Sequence, residues 1–242
     1  MKRAVMVFVS LWIICFWTGC ASSRKAVLLA QKDPIALVSV VSNYDINWKD
    51  EESMSPNTIN PFARGTLRGD DDKVMVSNAE DLITRAEILI RESMAELGVI
   101  NLADKGRVIN SRTYQEARIN RTQVNQKLVK PEDYRLIDFR DKSFFSSLAA
   151  ETGIQRSMFV EFIFTKEMVS GLFKTGNSRA DVEMIIYIYD SARKTLFHKT
   201  LHMRSSAVMG VASGVYSHSE LMGLFESTIA DACYEFVYDL QQ

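Results

Sequence analysis

Three kinds of residue are scarce in this chain of 242 residues: it has 3 Cys, 4 Pro and 11 Gly. Cys15 and Cys20 fall in or just after an N-terminal apolar run, so only Cys233 belongs to the body of the chain. A disulfide framework and a Cys-based metal site are thereby excluded, and the fold must rest on its core. So little Pro and Gly excludes collagen-like and low-complexity chains. Charge of one sign is missing as well. The 29 Lys and Arg against 30 Asp and Glu leave a formal net charge of −1 and a pI near 6.3. A broad nucleic-acid surface, which needs a clear basic excess to neutralise phosphates, is not expected. What the chain does have is 47% hydrophobic residues, enough for one good-sized globular domain.

The first residues address the chain to a compartment. Lys2 and Arg3 precede an uncharged stretch, Ala4 to Trp17. Its length of about 14 residues is short for a membrane span but right for the apolar part of a signal peptide. Thr18-Gly19-Cys20 follows, and the small pair before a Cys resembles a bacterial lipobox, with Trp17 standing where an aliphatic residue is usual. The resemblance implies cleavage after residue 19, lipidation of Cys20 and a tether over residues 20–33. Removing Lys2 and Arg3 leaves 27 basic against 30 acidic side chains. Several acyl chains on one residue anchor firmly where a single chain binds reversibly. The expected location is the cell envelope, at a bacterial membrane, with the periplasmic face of the outer membrane favoured.

Beyond the tether, residues 34–242 read as one α/β domain. Ile35–Val41 is a β-branched run after Pro34 and predicts a buried strand. Residues 43–76 are polar, with Pro56, Pro61 and the Asp70-Asp71-Asp72 run, and predict a long loop. Ser77-Asn-Ala-Glu80 has the form of a capping box. It opens a helix whose stripe runs Leu82, Ile83, Ala86, Leu89, Ile90, Met94 and Leu97, closed by Gly98. Val99–Leu102 is a short strand candidate. Residues 107–135 are very polar, with Arg112, Arg118, Arg121, Lys127 and Lys130, and read as a helix or an excursion from the core. Ser143–Thr152 predicts a short helix with Phe145, Leu148 and Ala149 inward. Strands are expected at 158–165, 182–190 and 195–204, the last two as a hairpin. A Gly- and Ser-rich connector (205–217) leads to a final helix opened by Ser217-His-Ser-Glu220, with Leu221, Phe225, Ile229, Ala232, Cys233, Phe236, Val237 and Leu240 inward. The fold class is α/β (α+β): a mixed sheet of four to six strands, two long helices, one shorter helix, and a C-terminal hairpin followed by a helix.

Strand Ile35–Val41, the helix ending in Gly-Val-Ile100, Leu148-Ala-Ala-Glu-Thr-Gly153 leading into strand 158–165, and the hairpin 182–204 come in a recognisable order. That order resembles the periplasmic α/β domain of the curli-secretion lipoprotein, the penicillin-binding-protein activator lipoproteins and the N-terminal domain of TolB. The resemblance implies an envelope lipoprotein that binds a protein partner. Gly153-Ile-Gln-Arg-Ser157 and the glycine-free turn 191–194 depart from the family pattern. The curli pore's long membrane hairpins need about 9–11 alternating residues per strand. Segment 166–180 reads as too short for them and 107–135 as too charged, so a pore is not expected.

No catalytic constellation emerges, and an enzyme is not expected. Ser22-Ser-Arg-Lys25, Ser55-Pro-Asn57 and Lys174-Thr-Gly176 can be strung into a penicillin-recognising order, but Ser22 sits on the tether. His198 and His202 share a strand face about 13 Å apart at strand rise, too far to chelate one metal. Asp70-Asp71-Asp72 lacks the spacing of a calcium loop, and Gly210-Val-Ala-Ser-Gly214 lacks the Lys of a phosphate loop. Neither a metal nor a cofactor is expected. The expected role is that of a non-catalytic binding or assembly factor for an envelope protein, with 43–76 and 107–135 as contact regions. A small-ligand-binding lipoprotein with a pocket near 205–217, or an envelope hydrolase, are the alternatives. A homo-oligomer stays open.

Overall fold

A computed structural model describes residues 33–49, 72–172 and 174–241. The signal segment, Cys20 with its tether up to residue 32, Ser55 and Asp70–Asp71 lie outside the described residues. Eight strands are described: β1 (Ile35–Ser42), β2 (Asn47–Trp48), β3 (Lys73–Val74), β4 (Arg156–Leu172), β5 (Thr175–Asp190), β6 (Thr195–Arg204), β7 (Met209–Val211) and β8 (Tyr216–Ser217). The helices are α1 (Glu80–Leu97), α2 (Lys105–Ile109), α3 (Arg112–Gln115), α4 (Arg121–Asn125), α5 (Lys142–Thr152) and α6 (His218–Gln241). The mixed sheet runs β1-β4-β5-β6, with β2 added beside β4 and β7 beside β5. β1 lies parallel to β4, whereas β4-β5 and β5-β6 are antiparallel.

Every position of β1 is buried, which is why its sequence is an unbroken apolar run rather than an alternation. Both faces of the sheet are covered there. On one face α1 and α6 pack Ile83, Ile90, Phe225, Ile229 and Phe236 against Leu37, Phe162, Phe164, Val182 and Ile186. On the other, Ala36, Val38, Phe159 and Tyr189 meet a second core of Val108, Tyr114, Ile137, Phe144, Phe145 and Leu148. The strand aromatics are thus divided between two cores, Phe162 and Phe164 in the first and Phe159 and Tyr189 in the second, with Tyr187 packed at the edge of the second.

Four expectations are corrected. Ser77 does not cap α1: Ala79 holds the N-cap position without a side-chain bond, Asn78 Oδ1 accepts from the Glu80 N–H at 3.1 Å, and Ser77 is engaged elsewhere. Val99–Leu102 is no strand. Asn101 and Ala103 hold Ile35 by single backbone bonds, because the chain turns away into α2 after one bridge. The connector 205–217 is built in, pairing β7 with the β5 segment Gly176–Ser178 and β8 with β3. Residues 166–180 do not join two short strands: they continue β4 and β5 into a hairpin of 17 and 16 residues. The alternation fades in this stretch because its far end is exposed on both faces, so periodicity has no core to report.

The hairpin narrows to a close approach of Gly171 and Gly176, which pair across the ladder at φ of +110° and +143°. A Cβ on Gly176 would stand 2.1 Å from the Ser170 carbonyl oxygen, and one on Gly171 2.0 Å from that of Thr175. Gly176→Ala is therefore expected to open the hairpin end at a cost of ~2 kcal/mol. The check is hydrogen exchange. Amides from Met168 to Arg179 should lose protection while those of Val160 and Ile186 keep it; equal protection throughout would refute the clash.

Candidate functional site

Two polar constellations border the hydrophobic cores. The first joins β3, β8, β4 and the starts of α1 and α6. The Lys166 ammonium donates to the Tyr216 hydroxyl at 2.9 Å, and the Ser77 hydroxyl lies 3.0 Å from Tyr216 Oη and 3.0 Å from His218 Nδ1. Lys166 also lies over the Trp48 and Tyr216 rings, 5.0 and 4.5 Å from their centroids. Burial pushes the Tyr216 phenol up to about 12, against a smaller lowering by the Ser77 bond. This Ser–His contact is a nucleophile–base pairing that sequence spacing did not show. Ser77 is only 4% exposed and shares its hydroxyl with Tyr216, so the contact ties elements together rather than presenting an attacking oxygen. Beside it, Ser217 caps α6 as expected, accepting from the Glu220 N–H at 3.1 Å. Asp72 accepts from the Ser219 N–H at 2.9 Å and from the Ser217 and Ser219 hydroxyls.

The second constellation is the layer from residue 99 to residue 142. Residues 107–135 within it, read from the sequence as a helix or an excursion from the core, carry short helices, and Val108 and Tyr114 pack into the second core. The layer's cations are dispersed over the short helices and the segments between and after them, and its aromatic residues face the body. Tyr114, fully buried, donates to the Val38 carbonyl at 3.1 Å and accepts from the Arg135 N–H at 3.0 Å; burial raises its phenol to about 12. Arg107 donates to the Thr152 carbonyl, and the Glu151 carboxylate accepts the Arg112 and Thr113 N–H groups at 2.7 and 2.8 Å. On the side of α1, the buried Glu87 carboxylate accepts from Arg91 and from the Tyr134 hydroxyl at 3.0 Å, with the Lys105 ammonium 3.6 Å away. Arg91 also reaches the Tyr134 hydroxyl at 2.8 Å and the Ala103 carbonyl at 3.2 Å. The layer is thus fastened to the sheet on one side and to α1 on the other.

Its outward surface is basic. Between Lys105 and Lys142 there are 10 basic and 5 acidic side chains, whereas the rest of the chain has 19 basic and 25 acidic. Arg118, Asp138, Arg140, Asp141 and Lys142 line a cleft of about 500 Å³. Residues 118–120 pair with 136–138, through Asn120 N–H to Leu136 O at 2.7 Å and Asp138 N–H to Arg118 O at 2.8 Å. That ladder sets Arg118 and Arg140 on either side of the Asp138 carboxylate, with Nε atoms 3.8 and 2.9 Å from it. Burial raises the Asp138 carboxyl, but bonds from the Arg140 side chain and N–H outweigh it, and the net direction is downward. Asp138 is therefore ionised at neutral pH and orients both guanidinium groups.

The remaining sequence candidates are not brought together. His198 stacks on Tyr187 at 4.3 Å, and His202 pairs with Glu183 at 3.6 Å. No group of three metal-capable side chains occurs among the described residues. Of Lys174-Thr-Gly176, Lys174 lies in the turn of the long hairpin, and Thr175 and Gly176 open β5, paired with Leu172 and Gly171. Cys233 is fully buried between α6 and its neighbours, and burial pushes its thiol up to about 12, against a smaller lowering by the Ser93 bond, which makes it a poor nucleophile. No helix among the described residues is long and apolar enough to cross a membrane.

A solved structure, the C-terminal domain of LpoB from Salmonella enterica, is similar in outline. The likeness has 12% identity and a TM-score of 0.27, and covers 77% of this chain and 96% of that domain. No family model and no curated protein matches the chain.

The sequence singles out Arg118 and Arg121 as part of a basic stretch, but not the cleft. Asp138, Arg140 and Lys142 lie beyond the 107–135 stretch, and only the 118–120/136–138 ladder brings them to Arg118.

Proposed function

We propose that this chain is a membrane-anchored lipoprotein of the cell envelope that acts, without catalysis, as a binding or assembly factor for an envelope protein. The observation that carries the reading is the basic layer 105–142, whose buried residues are fixed to α1 and to the sheet while its charged residues stay open. A surface held this way loses little conformational entropy on binding, which is what a docking platform requires. The signal-like start and Cys20 supply the anchor, and the chain enters the fold at Asp33, whose carbonyl accepts from Arg156 at the start of β4. β4 runs from there for 17 residues, so the hairpin end stands about 50 Å from the anchored end at strand rise. Anchoring confines the search for a partner to one layer of the envelope and raises its effective concentration.

The test compares wild type with Cys20→Ala in a bacterial host by fractionation, intact mass and crosslinking from the membrane. Wild type is expected in the membrane fraction with an acyl mass increment and a crosslinked envelope protein, and the variant without the increment and with Met1 retained. If both proteins are soluble, or neither is processed, the anchored reading falls.

A further inference from the structure

We infer that the cleft between Arg118, Arg140 and Lys142 receives a carboxylate side chain from an acidic, partly apolar segment of a protein partner. This deepens the binding-factor reading above and rests on it. The cleft's walls come from separate stretches that the fold clamps together: the 118–120/136–138 ladder and the first turn of α5, where Asp141 accepts from the Ser143 N–H at 3.0 Å and the Ser143 hydroxyl at 2.6 Å. Arg118 and Arg140 have 75% and 61% of their side-chain surface exposed although both approach Asp138, whose own side chain is 6% exposed. The buried carboxylate holds the Arg140 guanidinium by a hydrogen bond at Nε and draws Arg118 by charge from 3.8 Å, which leaves two solvent-facing forks uncovered and suited to a second carboxylate.

Charge balance chooses the occupant. Three cations against Asp138 and Asp141 leave the cleft with a single net positive charge, which one carboxylate matches and a doubly charged phosphate exceeds. The shape agrees: a concavity of about 500 Å³ takes an inserted side chain, whereas a bilayer presents a plane of phosphates. The same layer supplies an apolar part. Ile119, next to Arg118 in the chain, is 47% exposed, and Val124 on α4 is 50% exposed, with Arg121 and Lys127 exposed on the same stretch of chain. Apolar side chains standing open amid cations match an acidic segment carrying a Leu or Val close to its Glu or Asp.

The experiment uses the full-length chain and a fluorescein-labelled peptide of alternating Glu and Leu, with its Gln/Leu counterpart, read by fluorescence anisotropy. The Glu peptide is expected to bind with an affinity that falls as salt rises, and the Gln peptide not to bind. Arg118→Gln with Lys142→Gln should weaken binding at least tenfold, and Arg118→Gln alone, at an exposed side chain, should weaken it severalfold. Arg85→Gln, on α1, should leave it unchanged. An unchanged Kd in the double variant, equal binding of the Gln peptide, or displacement by millimolar inorganic phosphate overturns the proposal. So does binding of phosphatidylglycerol vesicles, but not of the peptide, through the same residues, which would make the layer a membrane-facing surface. A crosslinked partner that persists in the double variant sinks the cleft alone; a chain with no anchor and no partner sinks the wider reading.

Discussion

Phe145→Ala is expected to lower the unfolding free energy by about 3–5 kcal/mol, the range for removing a fully enclosed aromatic ring. Phe145 is 1% exposed and touches three other rings, with centroids 5.5 Å from Phe144, 5.7 Å from Phe159 and 5.3 Å from Tyr189. Two of those belong to the sheet and one to α5, so the ring is the joint between them. The vacated volume would lie against β-strand backbone, which cannot collapse inward, and little of the loss would be recovered. The second core is small, and α2 and α3 rest on the same residues. The variant should therefore unfold its α2–α5 layer before the α1/α6 side. Urea denaturation gives the total, and hydrogen exchange at Val108 and Tyr114 against Ile229 separates the layers. A loss below about 1 kcal/mol, or uniform exchange, would show that the two cores are not separable.

The same division explains what the sequence made legible. The first core was readable because α1 and α6 each bury one long stripe, and an 18- or 24-residue helix repeats its period often enough to stand out. β6 was readable by its alternation, matching residue for residue, and β1 by its unbroken β-branched run. Short elements offer no period. The helices of four or five residues between Lys105 and Asn125 each bury a single residue or none, so Tyr114 stood unnoticed among Arg112, Glu116 and Arg118. Tertiary pairing misled at Ser77 for a related reason. Its spacing to Glu80 is that of a capping box, yet Tyr216 and His218, more than 130 residues on, hold its hydroxyl. The cleft depends wholly on such long-range pairing. The basic stretch was visible as composition; that Arg118 meets Arg140 across Asp138 is a fact of the ladder between 118–120 and 136–138, which no local rule announces.

The other large effect falls at Glu87, where Glu87→Ala should cost about 3–5 kcal/mol, the penalty for leaving a buried ion pair with one partner. The carboxylate is 5% exposed on its side chain and has three contacts, Arg91, Tyr134 and Lys105. Without it, Arg91 keeps the Tyr134 hydroxyl and the Ala103 carbonyl, but both are neutral and neither compensates a half-buried guanidinium. Tyr134, 1% exposed, loses its acceptor. Glu87→Gln separates charge from shape: it retains an acceptor for Tyr134 while removing the negative charge, and an intermediate loss is expected. Replacing Glu87 and Arg91 together with Leu and Met should restore part of the stability, since no unpaired charge is then buried, although the Tyr134 hydroxyl loses both its partners. Chemical denaturation of the three variants decides the matter, and a double variant as unstable as Glu87→Ala would refute it. The consequence reaches the proposed docking surface, because this cluster is where the layer's inner edge is fastened to α1. If the layer binds as a fixed platform, Glu87→Ala should weaken peptide binding at the cleft although Glu87 does not line it, and the double Leu/Met variant should recover that binding together with stability.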